Sequence, residues 1–168
     1  MTYFRRLHSI PALLRTTLGL RPRTKFAQVY RNSTGRFWVL CVVGIVPGGI
    51  QISDREERTT IEDREENRLV SKLNVALDKC HYTTHHLPDW TSTEWNAFYK
   101  SHDFVQVSRS GKTITFVPWI HDPQKHSHGY VSLKDVKISV SGNASSEETL
   151  GRLKQAASLA KHETGHAA

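Results

Sequence analysis

Lys25-Phe26-Ala27-Gln28-Val29-Tyr30-Arg31-Asn32-Ser33-Thr34-Gly35-Arg36-Phe37-Trp38-Val39-Leu40-Cys41-Val42-Val43-Gly44-Ile45-Val46 decides how this chain folds. Residues 25–32 and 36–46 are two β-rich runs, and Ser33-Thr34-Gly35 between them is a hairpin signal. In the second run Phe37, Val39, Cys41, Val43 and Ile45 share one face, while Arg36, Trp38 and Leu40 share the other. Its second half is apolar on both faces, so the run is predicted to lie centrally in a sheet. It ends at Pro47-Gly48-Gly49, well short of the roughly 18 apolar residues that a membrane-spanning helix needs.

The rest of the chain extends this start. Residues 49–53 could supply a short third strand. A helix is predicted from near Thr60 to near Lys79: acids crowd its first turns (Glu62, Asp63, Glu65, Glu66), and Leu69, Leu73, Ala76, Leu77 and Cys80 recur at helical spacing. On this reading the charged run Asp54–Arg68 is a solvated helix start. Thr91 and Glu94 form a capping box and Trp90 and Trp95 a hydrophobic staple, which places a second helix over residues 92–102. Strands Phe104–Arg109, Lys112–Ile120 and Tyr130–Val140 follow, joined by a Ser110-Gly111 turn and the polar loop His121–Gly129. A second capping box, Ser145 with Glu148, opens a helix whose apolar face is Leu150, Leu153, Ala157 and Ala160. Both halves read strand, turn, strand, loop, strand, helix. The expected fold is therefore α+β: a largely antiparallel sheet with helices on one face, in two loosely repeated halves plus one extra helix.

Charge divides the chain differently. Residues 1–53 hold eight Lys and Arg and no acid, whereas residues 54–168 hold 15 Lys and Arg against 16 Asp and Glu. The net charge of +7 and the pI of 9.6 thus come from the N-terminal third. Residues 1–24, rich in Arg, Ser, Thr and Leu, match an organellar transit peptide, with a retained disordered basic arm as the plainer reading. Pro11 and Arg15 break the apolar run that a secretory signal would need. Residues 25–168 are expected to form one domain, enough for a real core.

Val29-Tyr30-Arg31-Asn32-Ser33-Thr34-Gly35-Arg36-Phe37 resembles the V-x-x-N-x-x-G-R-F hairpin of the PUR-repeat family, proteins that bind single-stranded DNA or RNA. In that family the hairpin opens a repeat of strands followed by one helix, and two repeats interlock into one domain. The second half departs from the pattern, with Ser108-Arg109-Ser110-Gly111-Lys112 where N-x-x-G-R-F would stand. The resemblance implies nucleic acid on an exposed sheet face, with aromatics stacking on bases and arginines meeting phosphates. The residues it would use are Tyr30, Arg31, Arg36 and Trp38, with Arg109, Lys112 and Trp119 as second-half counterparts. Each also has an ordinary reading as core or surface.

No Walker loop, G-x-G-x-x-G, H-E-x-x-H or paired-cysteine zinc signature occurs, so no catalytic residue and no cofactor is expected. Cys41 and Cys80 fit structural thiols in a reducing compartment. Ten histidines include two clusters: Cys80, His81, His85 and His86, and the His121–His128 loop with Asp122 and His126. The loop could offer several zinc ligands, which keeps a metalloenzyme as the alternative to a non-enzymatic protein. Together these features predict a protein of the mitochondrial matrix within a ribonucleoprotein, a mitochondrial ribosome or RNA-processing complex. Its partners would be other protein subunits and single-stranded RNA. The alternative is a structural or assembly subunit of a respiratory-type complex.

Overall fold

The structure, a computed structural model, describes residues 23–46, 50–61, 65–81, 92–121, 130–133 and 135–160. Within them, seven strands form one antiparallel sheet: β1 (Thr24–Asn32), β2 (Phe37–Val46), β3 (Ile50–Ile61), β4 (His102–Ser110), β5 (Thr113–His121), β6 (Tyr130–Ser132) and β7 (Ile138–Ser141). Three helices accompany them among the described residues: α1 (Glu66–Lys79), α2 (Ser92–Lys100) and α3 (Ser146–Leu159). The strand order is β3-β2-β1-β4-β5-β6, and β7 shares the outer edge of β5 with β6. The α+β expectation holds.

The first hairpin is built by its turn chemistry. Asn32 Oδ1 accepts from the Thr34 N–H at 3.1 Å, the Thr34 hydroxyl at 2.8 Å and the Arg36 N–H at 2.9 Å. Gly35 takes φ 85°, where a side chain would be strained. The N-x-x-G of the motif is thereby accounted for without any ligand. α3 begins with a similarly local device, the Ser145 hydroxyl accepting from the Glu148 N–H at 3.1 Å. Thr91 and Trp90 lie outside the described residues, although α2 does start at Ser92.

Several predicted boundaries move; His102, predicted at the end of the 92–102 helix, opens β4 instead, two residues after α2 ends. β3 runs to Ile61 through the charged segment read as the start of a helix, and α1 begins only at Glu66. The reason is tertiary: the outer edge of β2 presents backbone groups that must be paired, and β3 supplies their partners from Ile50 to Ile61. Charges suit such an edge. Between the pairs Val39↔Thr59 and Cys41↔Asp54, residues 55–58 oppose Leu40 alone, a bulge that disfavours pairing with another chain. The predicted strand Tyr130–Val140 divides into β6 and β7, which pair with β5 on either side of Val117 and Pro118. Pro118 has no N–H to continue a ladder there, and its carbonyl instead accepts from Leu133 N–H at 3.0 Å.

Alternation sends Ala27, Val29, Phe37, Val39, Val105, Val107, Ile114 and Phe116 to one sheet face, where α1 contributes Leu69, Leu73 and Leu77 and α3 contributes Leu153, Ala156 and Ala157. This is the main core. Both cysteines lie buried at the end of α1: Cys41 Sγ donates to the Ala76 carbonyl and Cys80 Sγ accepts from the Phe26 N–H, each at 3.3 Å. Burial pushes the Cys80 thiol pKa up, which makes it a poor nucleophile.

Asp78 ties α1 to the sheet, its Oδ1 accepting from Lys25 at 2.8 Å and also from Arg109. The hydrogen bond from Lys25 holds its carboxyl below the usual range, with Arg109 adding to the effect. The contribution to stability is full above about pH 4 and is lost as the pH falls through the lowered value. Because the carboxylate is largely exposed, Asp78→Asn should cost less than about 1 kcal/mol in urea unfolding. The difference from wild type should shrink in high salt; a salt-independent loss would point to packing instead.

Candidate functional site

The second sheet face carries an aromatic row. Antiparallel register sets Trp38 on β2 opposite Tyr30 on β1, Tyr30 opposite Phe104 on β4, and Phe104 opposite Trp119 on β5. Side chains of paired residues share a face, so the four rings cross the sheet at one level. Tyr30 and Phe104 stack with centroids 4.8 Å apart, and Phe104 meets both Trp119 and Tyr130 of β6 at 5.5 Å. α2 closes on this row from outside: Phe98 lies edge-on to Tyr30 at 5.0 Å and to Trp38 at 6.1 Å. The expectation of helices on one face holds for α1 and α3 but not for α2, which packs on the opposite side against the aromatic row.

His102, at the start of β4, joins α2 to the sheet. Its ring stacks on Phe98 at 3.9 Å and lies perpendicular to Trp38 at 4.5 Å. Nδ1 is 2.7 Å from the Phe98 carbonyl, an acceptor only, so Nδ1 carries the proton and donates. Nε2 is left as a buried acceptor without a partner among the described residues. The Tyr130 hydroxyl donates to the His102 backbone carbonyl. Burial is the main cause lowering the His102 pKa, against the opposing pull of the Phe98 carbonyl and Asp103.

The sign of the pH effect follows. The unfolded chain takes up the proton first, so stability contributed by neutral His102 is present above about pH 6.5 and falls as the pH drops below it. Thermal unfolding should therefore show a larger loss between about pH 7 and pH 5 in wild type than in His102→Phe, which keeps a ring against Phe98. Equal losses in the two chains would show that His102 does not titrate on unfolding.

The residues predicted for nucleic acid do not converge. Tyr30, 2% exposed, and half-buried Trp38 and Trp119 are engaged in the aromatic row, with Trp119 Nε1 buried and unpartnered among the described residues. Trp38 does lie on the face opposite Phe37 and Val39, but against Phe98 and His102 rather than in solvent. Arg31 and Arg109 belong to the other face: the Arg31 guanidinium stands 5.6 Å over the Phe37 ring, and Arg109 grips Asp78. Arg36 and Lys112 are exposed in the two hairpin turns. Phe98, His102, Phe104 and Tyr130 were not anticipated at the site. The alternation of His102, Phe104 and Gln106 along β4 was the signal available for two of them.

Among the described residues no three His, Cys, Asp or Glu side chains are grouped to hold a metal ion. His85, His86 and residues 122–129 of the histidine loop lie outside those residues, as do residues 1–22 of the predicted transit segment. No helix among them is long and apolar enough to cross a membrane.

Neither a protein-family model nor a curated protein matches the chain. Solved structures do. A protein of unknown function from Neisseria meningitidis is 16% identical with a TM-score of 0.63, over 82% of this chain and 96% of its own. A chain of a CdiA-CT/CdiI toxin and immunity complex from Yersinia pseudotuberculosis is 17% identical with a TM-score of 0.59, over 84% of this chain and 99% of its own. At such identities the likeness establishes a shared fold. These neighbours overturn the function expected from the sequence, a mitochondrial ribonucleoprotein component with a respiratory-type assembly subunit as its alternative. The hairpin and its aromatics, one of the signals behind that expectation, have local explanations: the hairpin motif serves its own turn, and the aromatics meant for bases pack against one another and α2.

Proposed function

We propose that this chain works by binding another protein, as a non-enzymatic member of a two-protein complex of the toxin and immunity kind. The observation that carries the reading is the shared fold over 99% of a chain from such a complex. The internal chemistry is compatible with it: His102 and the aromatic row serve to dock α2, and the buried thiols are capped by backbone contacts.

The test is to isolate the full-length chain from its own cells with nuclease treatment, identify any stoichiometric protein partner, and express that partner alone in a bacterial host. Growth arrest relieved by co-expressing this chain is the expected result. A chain that purifies without a protein partner, or a partner harmless on its own, would overturn the reading.

A further inference from the structure

The β1–β4 ladder places Lys25 directly opposite Arg109 on the same face. Like charges in cross-strand positions repel, and the acid between them, Asp78, offsets only one. The same register brings the start of β1 beside the turn after β4, since Thr24 pairs with Ser110. Arg23 and Lys112 are therefore two further exposed cations at this corner. The sequence leading into Arg23 adds four arginines and no acid. Across the corner, the Gly142 N–H donates to the Lys112 carbonyl at 2.6 Å. Glu147 and Glu148, which follow in sequence, stand in the first turn of α3, where negative charge complements the helix dipole.

We propose that this basic corner, formed by Arg23, Lys25, Arg109 and Lys112 around Asp78, docks acidic side chains of a partner protein; the proposal rests on the protein-binding reading above. Guanidinium groups pair well with carboxylates, and unbalanced charge steers an oppositely charged partner to its site. The same cations could meet phosphates. A protein is favoured because the corner has no stacking platform among the described residues: the aromatic row lies on the other face of the sheet, under α2.

The full chain is titrated with a labelled oligo-glutamate peptide and, separately, labelled oligouridylate, at about 50 and about 300 mM NaCl. The double variant Arg23→Glu/Lys112→Glu leaves the Asp78 ion pairs in place, so its melting temperature should match wild type. It should weaken peptide binding about tenfold at the lower salt, while Arg152→Glu on α3 should leave it unchanged. Equal peptide binding by wild type and the double variant would overturn the proposal, as would tighter binding of oligouridylate than of oligo-glutamate. The isolated native partner separates the two ideas. A partner held equally well by the double variant refutes the corner and leaves the protein-binding reading standing, whereas the absence of any protein partner refutes that reading itself.

Discussion

Phe116→Ala should destabilise the chain by about 3 to 5 kcal/mol, the largest single loss expected here. Phe116 is fully buried, paired with Val107 on one side and Ile138 on the other, in the core that α1 and α3 cover. Truncation loses the transfer free energy of the ring and leaves a cavity in a region held from three directions, where collapse is hindered. Urea unfolding with an unchanged m-value and a lower midpoint is the result to look for. A loss below about 1 kcal/mol would mean that the β5 layer repacks or is not the packed centre of the domain.

Phe98→Ala should cost about 3 kcal/mol but act locally. The Phe98 ring on α2 meets Tyr30, Trp38 and His102, and it belongs to a cluster that shares no residue with the main core. Losing it should free α2 first. Amide exchange in residues 92–100 should accelerate while α1 and α3 stay protected, and the Trp38 environment should shift in fluorescence. The acid sensitivity assigned to His102 should weaken with it, because the ring that buries the imidazole is gone. Uniform acceleration of exchange through α1 and α3 would instead show that both faces of the sheet unfold as one unit.

What was legible in the sequence was local. Asn32 and Gly35 specify their turn through bonds within five residues, Ser145 caps α3 by reaching three residues ahead, and the period of Leu69, Leu73 and Leu77 marks the buried side of α1. What was not legible depends on segments that meet only on folding. The charged run after Asp54 has the composition of a helix start, yet becomes strand because β2 offers it an edge. Alternation gave the face of Trp38 correctly, but its exposure depended on where a separate helix would dock.

The sequence by itself determined the α+β class, the first hairpin, the cap of α3 and the asymmetry of charge, because each arises from neighbours along the chain or from composition. Only the tertiary structure decided that the aromatics form one packed row under α2, that His102 is buried within it, and that Lys25 and Arg109 stand opposite each other over Asp78. Those arrangements follow from the pairing of β1 with β4, a long-range register that buries apolar area on both faces at once, and no local preference encodes it.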